Sequence, residues 1–292
     1  MTATPAQGAG RSVRRFIVYS LLFILVILAG IGISGLLGRL LDAWTVVTDG
    51  DTTGLALNLA FSLIAGPLAF ILWWLAWRGL AERAERDSVL WGLYLAGMTT
   101  VTLVTAVCSL LIGVVALIGG DFDPFPLANG IVWAGLWAWH RWMTRHPVKA
   151  PTRLAGGSRV LGSVFGLIVG SVGLVRALSV ILDEVFVGQA VAGSIGQSWG
   201  VVLAQSLVWL LGGALVWWLH WNHDGARRLT TGFSVVALVL VDAVRLPLLL
   251  ALRLGLADAQ RDAVAHAHQV ALALALPGMR RDRRTVLPVP LC

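Results

Sequence analysis

The chain has 292 residues, of which 58% are hydrophobic and only 13% are charged, whereas soluble domains carry about 25% charged residues. This composition excludes a soluble globular protein, because too few polar residues are present to cover a water-exposed surface, and it predicts an integral membrane protein. The net charge of +7 comes from basic residues scattered between apolar runs, which is typical of topology determinants and argues against a nucleic-acid partner.

Apolar runs of about 20 residues, the length that crosses a bilayer as a helix, recur along the chain. They predict seven transmembrane spans, at 16–41, 55–77, 88–118, 124–142, 159–182, 199–221 and 232–256. A shorter run, 263–276, is a candidate eighth span. Arg14 and Arg15 precede the first run as in a signal peptide, but the run is too long for a cleavable segment. The predicted fold is therefore all-α, a polytopic transmembrane helical bundle.

The spans fall into two membrane segments. A flexible cytoplasmic tail, 1–12, precedes the first segment, 13–142, which contains spans 1–4. A Pro- and Gly-containing cytoplasmic linker, 143–158, leads to the second segment, 159–256, with spans 5–7. The remaining residues, 257–292, form an atypical basic C-terminal tail that contains the candidate eighth helix.

The composition changes after about Ser234. No tryptophan occurs beyond Trp221. The sequence that follows is rich in Ala, Leu, Arg, Asp and His. A divergent terminal helix and a shifted reading frame of a GC-rich gene would each produce this change, and the sequence leaves both open. An eighth crossing would return the arginines of the tail to the side on which the other basic segments lie.

Basic residues occur in alternate connecting segments. The N-terminal tail and the second, fourth and sixth loops carry them, whereas loops 42–54, 119–123 and 183–198 carry acidic residues and no Lys or Arg. The positive-inside rule therefore predicts a cytoplasmic N-terminus. Lys149 is the one lysine among 22 basic residues, which is typical of a high-GC bacterial genome, so the predicted location is the bacterial cytoplasmic membrane.

Three even-numbered spans end in similar Trp-rich segments, LWWLAWR (72–78), LWAWHRW (136–142) and VWWLHWN (216–222). When these are aligned, Trp73, Trp137 and Trp217 coincide, and His140 coincides with His220. An arginine also precedes each odd-numbered span. These patterns predict parallel repeats of in–out–in hairpins, related by an axis along the membrane normal.

Arginine-led helices paired with Trp-rich helices, repeated along a chain of this size, resemble bacterial multi-pass membrane proteins classed only as a domain of unknown function. The resemblance covers about residues 13–240. It implies the fold and the membrane location. It implies no activity, cofactor or site residue, because it rests on repeated patterns and not on a catalytic motif.

Nine tryptophans lie in the last turns of even-numbered spans: Trp73, Trp74, Trp77, Trp137, Trp139, Trp142, Trp217, Trp218 and Trp221. Indole rings prefer the headgroup region, so these residues predict an interfacial belt, and no cofactor is expected. The alternative is a membrane redox anchor, in which His140 and His220 hold a haem iron or His220, His223 and Asp224 bind a divalent cation.

Two sets of glycines have helix-packing spacing inside predicted spans: Gly30, Gly32 and Gly35, and Gly162, Gly166 and Gly170. The first set also has the spacing of a dinucleotide-binding loop, but that loop needs a preceding strand, which an uninterrupted span excludes. Both sets therefore predict close helix contacts, either within the chain or between subunits. Gly66-Pro67, in the middle of the second span, predicts a kink.

Four polar residues inside predicted spans are candidate functional residues: Arg176, Gln205, Asp242 and Arg245. A central arginine costs about 2.5–3.5 kcal/mol on insertion scales and normally faces a partner or a cavity. The sequence contains no nucleophile–base constellation, phosphate loop or paired intramembrane carboxylates, so a non-enzymatic role is expected. Two such roles remain open: a scaffold that binds other membrane proteins or itself, and small-solute passage. The lipid bilayer is the other expected partner.

The topology can be checked with reporter fusions. Reporters fused after Arg15, Arg86, Pro151 and Asn222 should report the cytoplasm, and those fused after Asp49, Asp121 and Gln197 the outside. The physical reason is the positive-inside rule. A periplasmic signal from the linker 143–158 would reverse the whole orientation.

Overall fold

The computed structural model describes residues 5–42, 52–186 and 198–229, together with residue 253. All regular secondary structure in these segments is helical, as the sequence predicts. The α-helices are α1 (Pro5–Asp42), α2 (Thr52–Ala60), α3 (Gly66–Gly79), α4 (Arg83–Arg86), α5 (Val89–Ile118), α6 (Pro124–Thr144), α7 (Gly157–Phe186) and α8 (Trp199–Trp218). A π-helical turn joins α2 to α3 (Phe61–Ala65), another extends α8 (Leu219–His223), and a 3-10 turn follows (Ala226–Arg228).

Five helical segments among the described residues are long and apolar enough to cross a membrane: Gly10–Asp42, Thr52–Gly79, Val89–Ile118, Gly157–Val185 and Trp199–Arg228. They correspond to predicted spans 1, 2, 3, 5 and 6. The fourth predicted span, 124–142, is helical as α6 but is not one of the five, because Asn129, His140 and Arg141 reduce its mean hydropathy. Apart from residue 253, the predicted spans at 232–256 and 263–276 lie outside the described residues, so the total of seven stays a prediction.

The second span remains helical past its proline. Pro67 has no N–H and would clash with the carbonyl group of Leu63 in a regular α-helix. The turn Phe61–Ala65, which contains Leu63, is π-helical, and helix resumes at Gly66. The wider π-turn therefore accommodates the proline, and the span remains continuous from Thr52 to Gly79.

Glycines let α1 approach α2 and α6 closely. A Cβ atom at Gly32 would lie 2.7 Å from the Oγ atom of Ser62, and one at Gly35 would overlap the Asn58 side chain. Gly30 faces α6, where a Cβ would lie 3.2 Å from the Trp133 ring. The structure thus places these three glycines at helix contacts, the role that the sequence favours over nucleotide binding.

The α7 and α8 backbones are in close contact. A Cβ atom at Gly166 would overlap the Trp217 backbone and lie 2.9 Å from the Gly213 carbonyl oxygen. Gly170 lies beside Gly213 and Gly162 beside the His220 ring. The stripe of small residues on α7 is therefore used within the chain, one of the two possibilities that the sequence leaves open.

The second membrane segment packs on the first through α5. Gly212 of α8 lies against the Leu111 side chain. Gln205 of α8 donates a hydrogen bond from Nε2 to the Val115 carbonyl oxygen at 3.3 Å. Gln205, a candidate polar residue in the sequence, is thus an interhelical contact. Within α5 and α6, the Asn129 amide similarly donates to the Ser109 hydroxyl at 2.6 Å.

Replacing Gly166 with leucine should force the α7 and α8 backbones apart. We expect a loss of about 1–3 kcal/mol of stability, the usual cost of overpacking, measured as a lower unfolding temperature in detergent. Gly135→Leu is the matched control, because a Cβ at Gly135 meets nothing within 4 Å. Equal unfolding temperatures for the two variants would show that the contact does not hold the helices together.

Candidate functional site

The basic segments of the chain meet at one end of the bundle. Arg15, near the start of α1, makes a two-pronged ion pair with Glu85, with both N–O distances 2.9 Å. Arg86 in the same loop donates from Nη1 to the Val148 carbonyl oxygen at 2.7 Å. The N-terminal helix, the α3–α5 connection and the α6–α7 connection are therefore on the same side of the molecule.

The α3–α5 and α6–α7 connections, residues 80–88 and 145–156, form one ordered surface, which we call the basic platform. The Thr152 hydroxyl donates to the Asp87 carboxylate at 2.8 Å. The Lys149 ammonium donates to the Trp77 carbonyl oxygen at 2.9 Å and lies over the Trp77 ring. The Trp91 indole donates to the Lys149 carbonyl oxygen at 3.2 Å. The predicted linker is thus fixed against the first membrane segment.

A second charge cluster surrounds Asp224, whose side chain is only 3% exposed. Arg141 of α6 binds both carboxylate oxygens, the Nη2–Oδ1 distance being 2.7 Å. Arg145 donates to Oδ1 at 2.6 Å, and His223 lies 3.3 Å away. From α7, Arg159 reaches the Asp224 backbone oxygen at 3.4 Å. This cluster joins the ends of α6, α7 and α8.

A polar cavity of about 240 Å³ opens beside this cluster. Its lining combines arginine, histidine and hydroxyl side chains with a single carboxylate: Thr99, Arg141, Thr144, Arg145, Ala155, Ser158, Arg159, His220, His223 and Asp224. Ala155 lies just before α7, and Ser158 and Arg159 lie in its first turn, where the helix dipole favours negative charge. The cavity is suited to an anion.

The geometry of His140 does not fit an axial haem ligand. Its Nδ1 lies 2.7 Å from the Leu136 carbonyl oxygen, so this nitrogen carries the proton and donates. Its Nε2 then accepts a hydrogen bond from the Tyr94 hydroxyl, 3.2 Å away. Both ring nitrogens are therefore occupied, and the residue is fully buried.

His220 has the same local hydrogen bond but different surroundings. Its Nδ1 lies 2.9 Å from the Val216 carbonyl oxygen, four residues earlier, as His140 bonds Leu136. The ring lies near Trp137 and faces the cavity rather than Tyr94. The two predicted candidates thus contact different residues. Among the described residues, no group of three His, Cys, Asp or Glu side chains is arranged to hold a metal ion.

The tryptophans at the basic end also hold helices together. Trp73 of α3 packs edge-on against Trp139 of α6, with centroids 5.1 Å apart, and Trp77 contacts Trp142 at 5.4 Å. Others project outward, since Trp218 is 51% exposed. These tryptophans are therefore interhelical contacts. Their role as an interfacial belt stays a prediction.

The remaining sequence candidates are not part of this end. Arg176 is exposed on α7. Asp242 and Arg245 lie outside the described residues. Glu85, and the pairing of Arg141 and Arg145 with Asp224, were not predicted from the sequence. The sequence did contain an indication of this cluster. Asp224 is an isolated acidic residue in a basic loop, where a carboxylate is expected to pair with arginines.

Residues 15–139 match a family model described as Domain of unknown function (DUF5671). The matched segment runs from α1 into α6, and over these residues the match confirms the inferred resemblance to a family of unknown function. Among curated proteins and solved structures, no match to the chain is found. The family description states no activity.

Replacing Asp224 with asparagine should destabilise the bundle, because Arg141 and Arg145 would lose their shared counter-charge. Breaking a buried ion pair costs about 3–5 kcal/mol of stability. Because Arg145 is 52% exposed, we expect a smaller loss of about 2 kcal/mol, measured as a lower unfolding temperature in detergent. Asp121→Asn, at an exposed position, is the control. Unchanged stability of Asp224→Asn would show that the cluster does not tie the helices together.

Proposed function

We propose that the chain is a non-enzymatic scaffold of the bacterial cytoplasmic membrane, which binds a partner membrane protein at its basic platform. The proposal places the N-terminus and the platform in the cytoplasm. The observation that carries it is the fixed geometry of the two platform loops. The partner chemistry that fits is an acidic protein segment.

The orientation rests on the grouping of positive charge. Arginines from the start of α1, the platform loops and the end of α6 lie at one end of the described bundle. Asp224, which precedes Arg227 and Arg228 in the sixth basic loop, is bound there by Arg141. Lys and Arg in short loops favour the cytoplasmic side of a membrane. A single orientation therefore satisfies all four basic segments.

The rigidity of the platform supports a binding role. Binding residues are frequently found on loops that a rigid structure positions. Here the loops are fixed by contacts from Arg86, Lys149 and Thr152, yet the Arg83 side chain is 87% exposed and Val148 is 58% exposed. Exposed groups on a fixed backbone can bind a partner without a large loss of loop entropy.

Small-solute passage has less support from the interior. Thr99, Thr102 and Ser206 are buried hydroxyls, and each donates to a carbonyl oxygen of its own helix. Hydroxyls that line a water path would instead be available to solute or water.

A photo-crosslinking amino acid at position 148 tests the scaffold function in native membranes. We expect a discrete crosslinked product, because Val148 is exposed on the platform. The matched control is position 122, since Phe122 is 53% exposed in the loop at the opposite ends of α5 and α6. Arg83→Glu should reduce the product at 148 by reversing a platform charge.

Two results would overturn the scaffold. One is equal crosslinking at positions 148 and 122, which indicates random collision in the membrane. The other is saturable solute flux in vesicles that contain only the purified chain. Such flux would favour passage instead.

A further inference from the structure

Positive charge exceeds negative charge in the cavity beside Asp224. Arg141, Arg145 and Arg159 line it together with this single carboxylate. Arg141 and Arg145 share the Asp224 carboxylate, whereas the hydrogen bond of Arg159 goes to the Asp224 backbone oxygen at 3.4 Å. Two of the three guanidinium charges are therefore not neutralised by the described lining residues.

Helix dipoles explain only part of this excess. Arg141 and Arg145 lie at the C-terminal end of α6, where a cation is favourable. Arg159, however, lies in the first turn of α7, a helix of 30 residues. A cation at a helix N-terminus is unfavourable, and an anion there is favourable. An anion in the cavity would make the position of Arg159 favourable.

The His220 ring provides a further polar group in the cavity. Its residue is only 2% exposed. Nδ1 donates to Val216, and within the described part of the chain Nε2 makes no hydrogen bond. Nε2 is therefore available to a group that enters the cavity. A protonated imidazole would donate from Nε2 to an anion, and a neutral one would accept from a protonated ligand oxygen.

We propose that this cavity binds a phosphate group, supplied either by a lipid headgroup or by a soluble phosphate compound. Guanidinium groups bind phosphate oxygens through paired N–H donors. A volume of about 240 Å³ is smaller than the roughly 300–1,000 Å³ of drug-sized sites and fits a headgroup-sized ligand. Basic pockets between membrane helices at the cytoplasmic side are known to hold anionic headgroups. This comparison rests on the cytoplasmic orientation proposed above, whereas the excess positive charge of the cavity does not depend on the scaffold function.

Binding can be measured on the full-length chain, stripped of lipid in a maltoside detergent that contains no phosphate. In one arm, inorganic phosphate is titrated against chloride at equal ionic strength. In the other, phosphatidylglycerol is added and compared with diacylglycerol, which lacks the phosphate group. The readouts are the unfolding temperature and the indole fluorescence, since Trp137 lies beside Arg141 and His220. We expect a saturable rise in unfolding temperature in at least one arm.

Variants separate the cavity from general surface charge. Arg159→Gln should weaken the apparent affinity at least about ten-fold, since hydrogen bonds to charged groups contribute about 1.5–3 kcal/mol. Arg83→Gln removes the same charge from an exposed side chain outside the cavity and should change the affinity less than about two-fold.

Each outcome decides the proposal. Saturation with inorganic phosphate identifies a soluble ligand, and saturation with phosphatidylglycerol alone identifies a lipid; both support the site. Saturation in neither arm overturns it. So does an equal loss of affinity in Arg159→Gln and Arg83→Gln, because binding would then reflect surface charge alone.

Discussion

The basic end of the bundle depends on two carboxylates that hold arginines from distant parts of the chain. Glu85 joins α1 to the α3–α5 loop through Arg15, and Asp224 joins the end of α8 to α6 through Arg141. Without these counter-charges, the arginines at this end would repel one another at close range. The basic residues that predict the orientation thus also join helices that are distant in sequence.

Within the membrane the helices are held together differently. Lipid tails are as apolar as leucine, so hydrophobic burial provides little attraction between helices, and close packing provides it instead. Gly166 and Gly213 bring α7 and α8 into backbone contact, and Gly35 accommodates the Asn58 side chain. The outer faces remain apolar, as in Leu63, which is 69% exposed. The bundle is therefore fixed by charge at one end and by small residues along its length.

Much of this architecture could be predicted because it follows from local patterns. The length of the apolar runs predicted the helices. The i, i+4 spacing of Gly162, Gly166 and Gly170 predicted a packing face. The partner of that face could not be predicted, because helix pairing is a long-range property that spacing does not encode. The same limit applies to the site. His140 and His220 occupy equivalent positions in the sequence, yet Tyr94 occupies the Nε2 atom of one and a cavity adjoins the other.

The π-helical turn Phe61–Ala65 sets the angular relation between α2 and α3. A π-turn holds one more residue than an α-turn, and one residue corresponds to a rotation of about 100° around the helix axis. Asn58 before the turn faces α1, whereas Trp73 after it faces α6. Deleting a single residue from this turn would rotate one of these faces toward lipid, so the length of this apolar segment is constrained more tightly than its composition.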